Sequence, residues 1–395
     1  MTREEFLKLA DSKWTEIESL QQKDFYEFEK KFEALMVEMS RMALEGVLGE
    51  VPKDHRKKKL LTRFGLIQID NQHIFSEIVN GFRVSPYMQD HILYFSQMAV
   101  FEDAAMILEK TLRVKASDTM GHRMVQTYGQ LVSADIVQPL SMPAFPEAER
   151  IYAMADGSML FTDTGWQEVK AGRVFSQEVC TETGISDKRG HIEQSEYAAH
   201  LGIMDGFKEK FSPILDSYKN LENELIWLSD GASWMEKWIS RDYPNATMIL
   251  DFWHPTDRLA KFAGAVITDK VEKNKWVEQS KSWLQESELG KVIAEIKRIA
   301  KSGMEEQTEV LVNYLENNSW CMGYKKYLSR GLFIGSGAIE STNKTLVQAR
   351  MKKSGQRWSD TGAQNILNLR VLNMSNKWDT LLKYVKNPNA SQMRA

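Results

Sequence analysis

The sequence predicts a mixed α+β / α/β protein, with a helical N-terminal region followed by a mixed-sheet domain that carries a helical insertion. Three observations predict it. Apolar residues recur at helical spacing through most of the first 131 residues. Pro139, Pro143 and Pro146 then crowd one short stretch, and proline bars helix continuation. Beyond them the texture becomes short apolar runs bounded by glycine, in the order β-β-β-α-β-α-β. The domains expected are 1–135, mainly helical, a proline-rich linker over 136–149, a catalytic domain over 150–375, and a basic tail over 376–395.

In the first region, Phe6, Leu9, Trp14, Ile17 and Leu20, then Phe28, Phe32, Leu35, Met36 and Met39, keep helical spacing. Residues 1–50 are acidic, with twelve Asp/Glu against seven Lys/Arg. The basic cluster His55–Lys59 reads as a solvated loop or as a phosphate-contacting arm. Partial alternation around Phe64–Asp70 predicts a short β-hairpin within 60–80. From Tyr87 to Leu131 the pattern is helical again. Glu102–Leu112 reads as one helix, Arg113–Ala116 as a break, and Ser117 as the N-cap of a second helix. That is the outline of a helix-turn-helix near 102–130, with Ser117, Thr119, His122 and Arg123 on a DNA-reading face; an all-α bundle gives the same pattern.

After the prolines, Arg150–Asp156 reads as a strand ending in Asp-Gly. Val169–Val179 and Gln194–Ile203 follow as strands, then helix Gly206–Asn220, strand Leu225–Asp230 again ending in Asp-Gly, helix Ala232–Arg241 and strand Ala246–Asp251. No strand pattern occurs from Pro255 to about Tyr327, so an all-helical insertion is expected over about 256–330. A long helix is expected from near Ala338, after the glycines of Gly331–Gly337.

Composition narrows the classes. The chain is 43% hydrophobic and 27% charged, which excludes a disordered chain. The two cysteines, Cys180 and Cys321, form no CxxC spacing, so neither a cysteine zinc site nor a disulfide framework is expected. No apolar run of membrane-spanning length and no leader pattern occur, and a cytoplasmic protein is expected. The net charge of −3 argues against a histone-like binder. That figure averages two regions, since residues 341–395 carry ten Lys/Arg and two Asp, a net +8, and residues 1–340 carry −11.

Four groups of residues invite chemistry. Asp156 and Asp230 each end an apolar strand before a glycine, and pairing of the fourth strand with the first would set them side by side. Two such carboxylates repel unless a divalent cation neutralises them, and oxygen-only ligation suits Mg²⁺ or Mn²⁺. Asp-Gly also simply marks turns. Glu340 follows Gly335-Ser336-Gly337 on the first turn of a helix, where Glu340, Asn343, Lys344, Val347 and Met351 are expected to share a face. Asp251 and His254, three apart, read as a metal or phosphate pair, or as a helix cap and a buried histidine. The basic segment with Arg350, Lys352, Lys353, Arg357 and Trp358 reads as a phosphate track or as a solvated helix face.

The ordered set comprises Asp156-Gly157, Gly165-Trp166-x-Glu168-x-Lys170, Ser229-Asp230-Gly231-Ala232-x-Trp234 and Asp251-x-x-His254. Gly335-Ser336-Gly337-x-Ile339-Glu340-Ser341-x-Asn343-Lys344, Arg350-x-Lys352 and Gly355-x-Arg357-Trp358 follow. Together they resemble bacterial insertion-sequence transposases of the DDE class, in the Mutator-like group. The resemblance runs from about residue 147 to 375 and implies an RNase H-like catalytic domain with its helical insertion ahead of the last acid. It implies Asp156, Asp230 and Glu340 as the metal-binding and catalytic triad, matches Asp251 and His254 to an accessory motif, and implies two Mg²⁺ or Mn²⁺ ions in phosphoryl transfer. The activity implied is DNA cleavage and strand transfer at the element's terminal inverted repeats and into target DNA. A homo-oligomer on DNA and a bacterial, nucleoid-associated location follow from the same resemblance. A catalytically inactive or domesticated DNA-binding derivative is the alternative. Some relatives carry a cysteine-pair zinc element near the N-terminus, which this chain lacks, so recognition there is expected to be metal-free.

Overall fold

The computed structural model describes residues 2–19, 24–138, 142–183, 189–219, 221–231 and 233–387. Pro139, Asn220, Ala232 and the tail beyond 387, with Arg394, lie outside the described residues, as does the side chain of Trp234. The chain divides into two compact units, Met1–Ile136 with Thr361–Ala395, and Val137–Asp360.

The first unit opens with helices α1 (Arg3–Ser19) and α2 (Phe25–Leu48). Asp24 caps α2 by accepting from the Tyr26 amide, and Lys13 reaches across to Glu38 at 3.2 Å. Strands β1 (Lys57–Thr62) and β2 (Gly65–Asp70) form an antiparallel hairpin closed at Thr62 and Gly65. Lys57–Lys59 of the basic cluster therefore lie on a strand, and His55 and Arg56 lead into it. Lys58 lies on the strand with its ammonium on the Ser76 carbonyl at 2.6 Å, and His55 pairs with Asp70 at 2.7 Å.

Helices α3 (Pro86–Met98), α4 (Phe101–Leu112) and α5 (Asp118–Leu131) pack on one another, and a short α6 (Ser133–Ile136) follows. Ser85 caps α3 with Pro86 at its first turn, and Ser117 caps α5 by accepting from Met120. Arg113, at φ 53°, turns the chain between α4 and α5, and its side chain pairs with Glu33. Ser117, Thr119, His122 and Arg123 are exposed on α5 and its cap, while Met124, Val125 and Tyr128 are buried beneath. Among the described residues no helix is long and apolar enough to cross a membrane.

The second unit is built on a mixed sheet of strands β3 (Arg150–Thr162), β4 (Gly165–Ser176), β7 (Glu196–Leu201), β8 (Glu224–Ser229) and β9 (Thr247–Leu250). Their order is β7-β4-β3-β8-β9. The first three form an antiparallel meander, and β8 and β9 join parallel to β3. Strands β5 (Cys180–Thr183) and β6 (Arg189–Ile192) make a small separate hairpin.

Successive side chains of a strand face opposite sides. Ile151, Ala153, Ala155 and Trp227 pack with Phe207, Phe211, Met235 and Trp238 from α7 (Met204–Asp216) and α8 (Ser233–Asp242). Tyr152, Met154, Ile226 and Leu228 face the other way, into a core completed by the helical stretch that follows β9. That stretch comprises α9 (Trp253–Val266), α10 (Lys270–Gln285), α11 (Leu289–Ile299), α12 (Glu305–Asn317) and α13 (Tyr324–Ser329). Next come α14 (Gly337–Thr342), a π-helical turn over Asn343–Gln348, and α15 (Ala349–Met351).

The last two helices, α16 (Asp360–Met374) and α17 (Trp378–Lys386), depart from the expected boundaries. From Thr361 onward the chain groups with the first unit rather than with the sheet. Asn365 donates to Gln126 Oε1 at 2.8 Å, Asn368 to the Gly129 carbonyl at 3.0 Å, and Arg370 to the Gln97 carbonyl at 2.6 Å. Residues 378–386 form a packed helix, with Leu381, Tyr384 and Val385 buried, where a basic tail was expected.

Candidate active site

The site is organised by the register of the sheet. β3 and β8 pair in parallel from Arg150↔Glu224 to Met154↔Leu228. Continuing that register sets Asp156 beside Asp230. By the alternation of a strand, Asp156 follows Tyr152 and Met154, and Asp230 follows Ile226 and Leu228, so both turn to the face that carries α14. The two Asp-Gly pairs differ in kind. β3 runs straight through Asp156-Gly157 to Thr162, so Asp156 stands at the end of the parallel pairing but not at the end of its own strand. At Asp230 the strand does stop, and Gly231 takes φ +88° to make the turn.

A Cβ at Gly157 would come within 2.0 Å of Glu168 Oε1, so the Glu168 carboxylate, held by Lys170 two residues along the same strand, would have to shift. Lys170 also donates to the Gly202 carbonyl at 2.9 Å.

Asp156 is held through both of its carboxylate oxygens. One oxygen accepts from the Gly157 amide at 2.7 Å and the other from Asn343 Nδ2 at 2.6 Å. Burial pushes its carboxyl above the usual range, and the Asp230 charge pushes the same way. The two hydrogen bonds and His254 oppose them. Asn343 is 5% exposed, and its Oδ1 is buried with no hydrogen-bond partner among the described residues. An unpaired buried carboxamide oxygen costs about 1–3 kcal/mol.

Asp251, fully buried at the end of β9, accepts from the Ser336 amide at 3.0 Å, from Ser336 Oγ at 2.9 Å and from the Trp253 amide at 3.3 Å. It therefore caps a helix and clamps the 335–337 loop, while His254 stands half exposed with Nε2 3.6 Å from Asp251. Gly335 lets the Trp253 indole lie on this loop, because a Cβ would sit 3.1 Å from Nε1. Upstream, the Phe333 amide donates to the Tyr152 hydroxyl at 3.1 Å and the Phe252 amide to the Ile334 carbonyl at 2.8 Å. Arg173, on the strand facing β3, fixes the start of α14 by donating to the Ala338 carbonyl at 3.0 Å.

The helix that starts here buries Ile339, Thr342, Asn343, Leu346, Val347, Arg350 and Met351. Glu340 and Lys344 are exposed beside that stripe, not on one face with Asn343 as expected. The buried stripe keeps α-helical spacing through Ile339, Asn343, Leu346 and Arg350, and Glu340 and Lys344 lie at its exposed margin. Asp156 and Asp230 are thus brought together, and Asn343 is the helix residue that meets them. The Glu340 carboxylate makes no hydrogen bond or ion pair among the described residues. There, no three His, Cys, Asp or Glu side chains converge closely enough to hold an ion.

The basic residues separate into two kinds. Arg350 is 1% exposed and lies over the Trp358 ring at 5.1 Å; Trp358 is itself buried and donates Nε1–H to the Met351 carbonyl. Their burial removes both from the expected phosphate track. Lys344, Lys353 and Arg357 are exposed. Lys352 donates to Ser158 Oγ at 2.8 Å, which sets an ammonium one pleat beyond Asp156 on the same face, and burial lowers its pKa.

Two further residues belong to this site. Glu236 on α8 has its carboxyl raised by burial and then by the Asp230 charge, and its Oε1 is buried without a partner among the described residues. Arg173 is the other. Its only signal was an arginine within the otherwise uncharged run Ala171–Phe175; Glu236 carried none beyond lying six residues after Asp230. No family model matches the chain, and no curated protein is detectably similar to it.

Proposed function

We propose that the chain is a DDE-class transposase, with the sheet of the second unit as an RNase H-like core that cuts and joins DNA at the ends of an insertion sequence. The observation that carries the reading is the parallel register of β3 and β8, whose continuation sets Asp156 beside Asp230, and the Asp156 carboxyl is raised by burial and also by the Asp230 charge. Two adjacent carboxylates with a carboxamide oxygen beside them make an oxygen-only donor set, which fits Mg²⁺ or Mn²⁺. Bound there, such ions would neutralise the charge that develops as an oxygen nucleophile attacks a phosphodiester.

The chain's own residues have separate tasks in this reading. Asp156 and Asp230 supply the anionic pair. Glu340, one turn ahead of Asn343 on a helix anchored by Arg173 and by the Asp251–Ser336 clamp, supplies the third acid when DNA is bound. Lys352, beside Ser158, is placed to meet a phosphate near Asp156. Lys344, Lys353 and Arg357 offer exposed cations for the backbone, and the exposed face of α5 with Arg123 serves recognition. The nucleophile is water or a DNA 3′-hydroxyl, so no protein nucleophile is needed.

The test is cleavage of DNA bearing the terminal inverted repeats that flank the gene, with Mg²⁺ or Mn²⁺ supplied. Wild-type protein is expected to nick the repeat ends. Glu340→Gln and Asp230→Asn are expected to bind the same DNA and not cut it. Undiminished cutting by Glu340→Gln would remove it from the triad, and full activity in EDTA would overturn the metal-dependent reading.

A further inference from the structure

The structure presents Asn343, not Glu340, to the aspartate pair. Its carboxamide is 5% exposed, with Nδ2 on Asp156 Oδ2 at 2.6 Å. Its oxygen is left buried, with nothing among the described residues to bond it. Such an oxygen, in a site too acidic to offer it a donor, is suited to a cation. The nitrogen faces Asp156 for the same reason, because a carboxylate accepts only. A half-turn of the terminal carboxamide exchanges nitrogen for oxygen without moving the backbone.

We propose that Asn343 is a metal-responsive ligand: its nitrogen holds Asp156 when no ion is bound, and its oxygen turns to the ion that Asp156 and Asp230 share. This rests on the reading of those two acids as the metal-binding pair. Asn343 lies in the buried stripe of this helix, while Glu340, three residues earlier, stays exposed. Assembly then has an order. Asp156, Asp230 and Asn343 bind the first ion in the free protein, and Glu340 joins with DNA.

The experiment is Mn²⁺ binding to the full chain without DNA, followed by electron paramagnetic resonance of free Mn²⁺ and by the thermal shift on adding the ion. Asn343→Ala is expected to weaken Mn²⁺ binding at least ~10-fold. Asn343→Asp keeps the shape and an oxygen. It is expected to lower the melting temperature of the metal-free protein, through repulsion with Asp156, and to bind Mn²⁺ at least as tightly as wild type. Asn343→Ala binding as tightly as wild type, or more tightly, would overturn the proposal and leave Asn343 as a lock on Asp156. Weaker binding by Asn343→Asp would also overturn it, and this variant decides the matter if the alanine form does not fold. Failure of the wild type itself to bind Mn²⁺ would instead remove the metal reading of Asp156 and Asp230, and the Asn343 inference with it.

Discussion

At Asp156 the fold opposes the ionised form of a side chain. Burial and the neighbouring Asp230 raise its carboxyl pKa against two hydrogen bonds. An acid whose folded-state pKa lies above its unfolded value binds its proton more tightly when folded. Its contribution is therefore full below the unfolded value and is lost as pH rises through the folded one. At neutral pH the ionised group destabilises the metal-free protein. Asp156→Asn is accordingly expected to raise the melting temperature in EDTA at pH 7, by on the order of 1 kcal/mol or a few degrees. The gain should fade as pH falls towards 4, and a melting curve series from pH 4 to 8 checks it. A loss of stability at pH 7 would show that the Asn343 and Gly157 hydrogen bonds outweigh the burial. Asp156 and Asp230 were legible in the sequence because a strand rule applies to both: an acid at the end of an apolar run, before glycine, with the fourth strand returning to the first. Helical spacing counted from Glu340 sets Asn343 on the same face as that acid, and the run of basic residues sets Arg350 on a phosphate track. The buried stripe is counted from Ile339 instead, and runs through Asn343, Leu346 and Arg350 at helical spacing.

Among the elements, those marked by an apolar run, a glycine boundary or a cap were readable, and α16 was not placed with its partner. Strands of the meander alternate or run apolar between glycines, and Ser117 at the start of α5 is an N-cap in sequence and structure alike. Helix α16 carries ten buried residues between Gly362 and Leu372, so it shows no amphipathic face from which its partner could be inferred. The resemblance, which runs to about residue 375, is what assigns it to the sheet domain. The packing that draws it to α5 depends on Gly129. A Cβ there would lie 2.5 Å from Asn365 Cβ and 2.7 Å from the Asn365 carbonyl oxygen, so backbone would have to move. Gly129→Ala is expected to destabilise the first unit by about 1–3 kcal/mol, through overpacking and the loss of the Asn368 bond to the Gly129 carbonyl. Thermal unfolding measures it. An unchanged melting temperature would mean that α16 does not pack on α5 this closely.

For the molecule as a whole, the partner question turns on charge. The net +8 of residues 341–395 suggested one continuous phosphate track, but that sum mixes different environments. Arg350 and Arg370 are buried, at 1% and 8% exposure, and Arg370 spends its donors on Gln97 in the first unit. Lys377, Lys383 and Lys386 also belong to that unit, while Lys344, Lys352, Lys353 and Arg357 belong to the second. Composition counted these charges correctly and could not say which reach solvent, because an arginine over a tryptophan ring and one over a phosphate read alike. Binding to DNA should therefore divide the basic residues by exposure. Each neutralised side chain that touches phosphate lowers the slope of log K against log salt by ~0.9. Lys344→Gln, Lys353→Gln and Arg357→Gln, combined, are expected to flatten the slope and leave the melting temperature within a degree or two. Arg350→Gln is expected to do the reverse: it removes a buried guanidinium packed on Trp358, lowers the melting temperature, and leaves the salt slope of the remaining folded protein unchanged. A flattened slope from Arg350→Gln would require that arginine to leave its buried place when DNA binds. An unaltered slope in the triple variant would move the DNA interface away from this helix, to the exposed face of α5.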